Sequence, residues 1–454
     1  MKRILVSLVI LVIAGALILG GCTPTAPSTP STPSTPSAPS APTAGEVVIG
    51  TVCPLTGMFS GFGEGNAYGM EAAAEDINAI GGLDVGGQKM KVKFITLDSE
   101  SDSAKVGRLA EDLITSEKAI FLVLPDAPAP VTVTASTVGE KYKVPSLNCG
   151  GPFEPWDGMR SSATPPLEYA WLTGFALGMP PDKGDFRDKP GYTVKDTWFE
   201  FLDLYANQTN KVAGVFATDE ADGRGWYAAF PGMLKEYGCN VIGIEKNLGL
   251  VPVETTDYST VIKEWKDNNV QILWGNSPGQ NFGAMWKQAV GMGFQPKIVM
   301  IGRAPLFYID VNSWGGNLAE GVGVEVWWSP KLKNCPGIGS TTPESLAQRW
   351  VDAKKQPVNP AIGHGYHGMQ IALAAITKAG SLDPVKINAA IPTVELNTIN
   401  SRVKFNAEQH FDRIPLYFGQ WFKTDSPEVW VNKIVFSKHD FIPVEAEPIF
   451  PKPY

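Results

Sequence analysis

The chain has 454 residues, 44% of them hydrophobic and 19% charged, and a formal net charge of −8. An acidic balance without basic runs argues against nucleic acid and anionic lipid surfaces as partners. The chain beyond residue 45 is long enough for two or three domains or lobes with sizeable cores.

Lys2 and Arg3 form a short basic start, Ile4 to Gly21 is apolar or small apart from Ser7, and the run ends in Leu19-Gly20-Gly21-Cys22. A basic start, an apolar stretch and small residues before a cleavage point predict a secretory leader over 1–21. Leu-small-small-Cys resembles the bacterial lipobox, which implies lipidation at Cys22. A single membrane-spanning anchor is the alternative for this stretch. Either way the rest of the chain is expected outside the cytoplasmic membrane and tethered to its outer face. Residues 22–45 are nearly all Pro, Ser, Thr and Ala. They cannot form a core, and polyproline geometry lets them span about 70 Å as a spacer. Cys53, Cys149, Cys239 and Cys335 remain. They allow three pairings, among which the sequence does not choose, and no Cys-x-x-Cys suggests zinc or redox chemistry.

From Glu46 onward, strand and helix patterns alternate. Val47–Val52 is a β-branched run, and Met70, Ala73, Ile77 and Ile80 then recur at helical spacing before Gly81-Gly82. Lys91–Leu97 reads as a strand and Ser103 as the cap of the next helix. Ala119–Leu124 and Val144–Asn148 are continuous apolar runs, as in parallel strands covered on both faces. Met179–Val194, rich in Pro, Asp and Gly, reads as a surface insertion. The pattern restarts with strands at Val212–Ala217, Val241–Ile244, Val270–Trp274 and Ile298–Ile301. Helices are expected at Trp226–Tyr237, around Tyr258–Trp265 and at Phe282–Val290. A long helix follows Gly365, then strand-like runs at Val403–Phe405, Leu416–Phe422 and Val429–Phe436. Two such blocks predict an α/β protein with two parallel-sheet lobes.

In order, Val48-Ile49-Gly50, Pro54-Leu55-Thr56-Gly57, Gly61–Gly69, Ala74-Glu75-Asp76-Ile77-Asn78 and Gly81-Gly82 resemble the opening of branched-chain amino-acid-type solute-binding proteins. Asp98 with Asp102, Val144-Pro145, Arg160, Thr256–Ser259, Ala319–Val322, Val403–Phe405 and Gly419–Trp421 continue the resemblance. These are type I periplasmic binding proteins that serve ABC importers. The resemblance implies two Rossmann-like lobes joined by three crossovers, with 46–165 and 297–400 in lobe 1 and 166–296 and 401–454 in lobe 2. It further implies a monomer that captures a small organic solute, an amino acid or a relative, without a cofactor, and delivers it to a permease. A ligand-binding sensor subunit would share the fold.

In such a fold the ligand sits beyond the carboxyl ends of the strands, beside helix N-termini. That selects Ser60 and Phe62 after the first strand. It also selects Asp126–Thr132 after the third, where only Thr132 offers a hydroxyl and two prolines lack N–H groups. Asn148, Cys149 and Gly150 follow the fourth strand. In the second lobe, Asp222 stands in an acidic cluster that otherwise reads as a helix cap. Asn276 lies in a loop without a nearby carboxylate. Arg303 is able to clamp an anion or make a surface ion pair. Alternation sends one of Trp327 and Trp328 to the cleft, and Trp327 is the candidate. Both ends of an amino-acid clamp thus look altered, which favours an aromatic acid, amide or short peptide over a simple aliphatic amino acid.

Gly275-Asn276-Ser277-Pro278-Gly279 fits a nucleophile elbow, with His364, His367, His410 and His439 following. Pro278, however, has no N–H for an oxyanion, which argues against a hydrolase. His364-x-x-His367 lacks a third ligand nearby, so no metal is expected.

Overall fold

The computed structural model describes residues 45–181, 183–425 and 429–454. The expected leader, lipidated Cys22 and tether up to residue 44 lie outside the described residues. Among those described, no helix is long and apolar enough to cross a membrane.

The apolar runs form two separate sheets. The first takes β1 (Glu46–Cys53), β2 (Leu83–Val85), β3 (Gln88–Asp98), β4 (Phe121–Leu124), β5 (Ser146–Pro152) and β6 (Ala170–Phe175). The second takes β7 (Val212–Thr218), β8 (Asn240–Ile242), β9 (Leu250–Val251), β10 (Ile272–Ser277), β11 (Ile298–Arg303) and β12 (Gly323–Val326). The chain then returns to the first sheet with β13 (Glu395–Asn397), β14 (Arg402–Asn406) and β15 (Phe411–Arg413). It ends in the second with β16 (Tyr417–Lys423) and β17 (Trp430–Phe436). The strand orders are β13-β14-β15-β6-β5-β4-β1-β3-β2 and β17-β16-β12-β11-β10-β7-β8, with β9 beside β7. The central ladders are parallel and the additions at the edges antiparallel. The chain passes between the sheets after β6, after β12 and after β15, the three crossovers expected of the fold.

The ladders correct the expected lobe boundaries. β6 pairs with β5 and belongs to the first sheet. β11 and β12 extend the second sheet beside β10, whereas β14 and β15 return to the first. Apolar runs alone do not reveal which neighbour a strand pairs with, because pairing is a long-range choice.

Helices cover the sheets with their apolar stripes. Ser60–Ala79 and Ala361–Ala379 lie on one face of the first sheet and touch almost backbone to backbone. A Cβ on Gly365 would come within 2.0 Å of the Asn66 carbonyl. The strands are buried on both faces, and each Val, Leu, Ile or Phe removed from water stabilises by roughly 1.5–3 kcal/mol. The cap of the helix Ser103–Thr115 is Asp102, whose carboxylate accepts from Ala104 N–H at 2.9 Å, and not Ser103. The short carboxylate reaches the free amides better from one residue earlier.

The stretch 179–194 is largely exposed between 180 and 190, as expected of a surface insertion, but it is anchored. Arg187, 4% exposed, pairs with Asp185 at 2.8 Å and with Asp412 at 3.2 Å. Arg413 donates to the Met179 and Pro180 carbonyls, and Leu416 N–H to the Gly191 carbonyl. The first and third crossovers therefore run side by side. On the first, Glu154 collects the N–H groups of Leu177, Gly178 and Met179 at 2.8–3.0 Å. Cys53, Cys149, Cys239 and Cys335 are all buried free thiols.

Candidate functional site

The carboxyl ends of both sheets contribute to one cleft. The first sheet and its helices supply Phe62, Asp126, Gly151, Pro152 and Phe175; the second supplies Asp222, Trp226, Arg303, Glu325 and Trp327. They enclose a cavity of about 30 Å³. Next to it lies a second cavity of about 160 Å³, which shares Phe62 and Arg303 and adds Ser60, Phe307 and Asp310. Phe62 bridges the two sides, edge-on to Phe307 at 4.6 Å and stacked at 6.3 Å from Trp327.

Arg303 is the centre of the charge arrangement. It stands at the end of β11 with φ of 62°, a left-handed backbone that costs a non-glycine residue about 1–2 kcal/mol. Its side chain is buried, which corrects the expectation of a surface ion pair. Nη2 lies 2.5 Å from Glu220 and Nε 3.1 Å from Asp222. Nε also donates to the Asn276 side-chain carbonyl at 2.6 Å, and Asn276 donates in turn to Asp222 at 3.1 Å. Nη1 has no partner among the described residues. Burial works against the Arg303 charge, but Asp222 and Glu220 outweigh it and hold the guanidinium above its ordinary value.

The two acids behave differently. Glu220 caps the helix Ala221–Glu236, accepting from the Asp222 and Gly223 N–H groups. Burial raises its carboxyl, but Arg303 and those amides outweigh burial and hold it below its usual range. Asp222 is raised by burial and by Glu220 despite Arg303, and Trp226 Nε1–H donates to it at 3.2 Å. Capping and cleft lining thus fall to neighbouring residues of the one acidic cluster.

Two further carboxyls line the cavity, Asp126 from the first sheet and Glu325 from the second. Asp126 is 5% exposed, and burial followed by the Asp222 charge pushes it well above its ordinary value. Glu325 is 1% exposed, its Oε2 has no partner among the described residues, and burial pushes it up to about 8. Glu325 did not figure as a site candidate in the sequence, and Asp126 appeared only as the start of the selected loop, in which Thr132 was the candidate. The signal for Glu325 was a single acid inside the apolar run Val322–Val326. For Asp126 it was a carboxylate at the end of a continuous apolar strand.

The structure brings Ser60, Phe62, Asp222, Arg303 and Trp327 to the cleft, with Asn276 bridging behind Asp222. It does not bring Thr132, Asn148 or Cys149 there. Asn148 turns into the layer behind the sheet, donating to the Trp171 carbonyl at 2.8 Å and to Ser136. Thr132 is buried one helical turn below Ser136, whose hydroxyl bonds its carbonyl. Cys149 faces the helix Ala361–Ala379, where Gly368 makes room for it. Alternation along β5 sends these side chains to the covered faces. Gly150, with φ of 84°, instead lets the chain pass Asp126 and His364, where a Cβ would meet both within 2.7 Å. Trp328 points away, its indole donating to the Ile399 carbonyl.

The alternative chemistries find no constellation. The Ser277 hydroxyl bonds the Pro278 carbonyl. His367 lies between Thr173 and Thr398, His410 on the Ala170 carbonyl and His439 on the Gly191 carbonyl. Burial pushes His364 and His367 down to about 3, so both are neutral. Among the described residues, no group of three His, Cys, Asp or Glu is placed to hold a metal ion.

Comparison with solved structures gives the same architecture. The leucine-binding protein of Thermotoga maritima superposes with a TM-score of 0.65 at 18% identity, over 86% of this chain and 99% of that one. A solute-binding protein of an ABC transporter from R. palustris, solved with 4-hydroxybenzoate, gives 0.66 at 16% identity, over 87% and 98%. The branched-chain amino-acid transporter substrate-binding protein of Streptococcus pneumoniae, solved with isoleucine, gives 0.61 at 17%, over 86% and 99%. An amino-acid-binding protein of Pseudomonas aeruginosa is 38% identical over 78 residues, 17% of this chain and only 20% of that protein's length. The family model for periplasmic binding proteins matches residues 46–426. With that match across nearly the whole folded chain, two mostly parallel sheets and a cleft at their carboxyl ends, the chain belongs to the type I periplasmic binding protein family.

Proposed function

We propose that this protein captures a small organic solute between its two lobes and delivers it to an ABC importer, working as a monomer without catalysis of its own. The observation that carries this reading is the cleft. Both sheets present polar side chains and rings to one small space, and Arg303 keeps its Nη1 without a partner among the described residues. A solute touching both sides would favour the closed arrangement over the open one. Relatives in the same fold carry isoleucine or 4-hydroxybenzoate, ligands of the size such a cleft takes once opened. The leader and Leu19-Gly20-Gly21-Cys22 support a lipid anchor at Cys22, with the folded part on the outer face of the cytoplasmic membrane. By this reading Ser60, Phe62, Asp222, Arg303 and Trp327 contact the solute, joined by Asp126 and Glu325.

Small-angle scattering tests the mechanism. A bound solute reduces the radius of gyration; profiles that stay unchanged at saturation, for a solute whose binding is shown calorimetrically, refute cleft closure.

A further inference from the structure

The charged groups lining the two cleft cavities are unequal. Among the described residues, four carboxyls (Asp126, Asp222, Asp310 and Glu325) face them against one cation, Arg303. That cation is largely committed, its Nε and Nη2 being held by Asn276, Asp222 and Glu220. Asp126 across the cleft and Glu325 on the neighbouring strand of the same sheet are not tied to Arg303 in this way. No described hydrogen bond reaches the Asp126 carboxyl, and Glu325 Oε2 is buried without a partner. A buried carboxylate left without donors costs several kcal/mol, so it is complemented by a cation or stays protonated.

Three positions that would ordinarily hold an anion are filled or disabled, leaving the starts of the helices Ser60–Ala79 and Gly279–Gly291 at the larger cavity. The N-terminal amides of the helix Ala221–Glu236 already bind the Glu220 carboxylate. The helix Ala129–Tyr142 begins at Pro128-Ala129-Pro130, where two residues have no N–H. The Leu55 and Thr56 amides after β1 point to Asp98. Around the acids stand the faces and edges of Phe62, Phe175, Trp226 and Trp327, surfaces that attract a desolvated cation.

Resting on the solute-binding reading above, we infer that the cleft is built for a solute with net positive charge: a primary or secondary amine on an apolar or aromatic body, its ammonium donating to Asp126 and Glu325. A quaternary ammonium fits less well, because the two unpartnered acids need N–H donors. The unpartnered Arg303 Nη1 donates to a neutral acceptor on the same solute, such as a hydroxyl.

Two carbon skeletons, each in three charge states, test this by calorimetry on the full-length protein at neutral pH. The first set is tyramine, tyrosine and 3-(4-hydroxyphenyl)propionate; the second is leucinol, leucine and 4-methylpentanoate. In at least one set the amine binds tenfold or more tighter than the acid and the zwitterion. Asp126→Asn and Glu325→Gln, both isosteric, each weaken that amine at least tenfold while the circular dichroism spectrum stays unchanged. The inference is overturned if the acid or zwitterion binds tightest, if neither amine binds, or if both variants keep the wild-type affinity for the amine. Failure of the solute-binding reading looks different: no solute of any charge class, from a broad screen, binds and compacts the molecule.

Discussion

Replacing Glu325 by Gln should make the protein more stable at neutral and alkaline pH, and by an amount that grows with pH. Glu325 sits on β12 in the middle of the cleft, 1% exposed, and burial pushes its carboxyl from an ordinary 4.5 up to about 8, with Asp126 and Asp222 adding to the rise. Between those two values the folded state holds a proton that the unfolded state has released. Unfolding free energy therefore falls as pH rises through this window. At about 1.4 kcal/mol per unit, the loss due to this one group grows from about 1 kcal/mol at pH 5 to about 4 kcal/mol at pH 8. Gln fills the same volume and has no proton to lose, so the variant lacks this term. Urea unfolding followed by tryptophan fluorescence, on both proteins at several pH values across that range, reads the difference directly. Titrations away from the cleft are common to both proteins and cancel in it, whereas those of Asp126 and Asp222 are coupled to Glu325 and stay part of the difference. A stability difference that stays constant from acid to alkaline pH would refute the placement of an uncompensated acid in the cleft.

Arg303→Met leaves Glu220 and Asp222 buried without their counter-ion. It should cost about 3–5 kcal/mol in denaturant unfolding, and an unchanged midpoint would refute the buried triad. Gly368→Ala places a methyl within 1.9 Å of the Cys149 sulfur, for an expected loss of about 1–3 kcal/mol. Cys149→Ala in the same chain should recover most of that loss, and additivity of the two changes would show that the clash is absent. A fatty-acid probe fed to cells should label the wild-type protein and not Cys22→Ala, whereas equal labelling of both excludes the anchor.

Much of the element pattern could be read along the chain. Val212–Ala217, Phe282–Val290 and Ile298–Ile301 each lie within an element of the expected type, because strands buried on both faces leave an unbroken apolar run and a helix with one buried face leaves apolar residues at helical spacing. Short strands left no such mark. Phe411–Arg413 holds one apolar residue in three and is recognisable only by its pairing with β6. The cleft was partly legible for a related reason. Position after a strand picks out Phe62, Asp222 and Arg303, because the fold places every such loop at one end of a sheet. Which face a side chain takes within the strand end is decided by register. Asn148 and Cys149, adjacent on β5, are therefore both lost to the covered layers, although their loop is close by. The carboxylate missing around Asn276 is supplied from elsewhere in the chain, by Asp222, with Asp126 and Glu325 lining the same cavity, and no local window of sequence contains that juxtaposition.

The pairing of the first crossover with the third restricts how the molecule moves. Arg187 and the Met179 and Pro180 carbonyls bind Asp412 and Arg413 at the end of β15, where the third connection starts, and Leu416 N–H binds the Gly191 carbonyl across the two connections. Neither segment is free to twist while the other stays straight. Rotation of one sheet about its own long axis would shear this ladder of bonds, whereas a swing that flexes both connections together preserves it. In the proposed closure, a swing that keeps these bonds would bring the rims of the cleft together in one register. An acid and a cation placed on opposite rims would find each other on every cycle without a search.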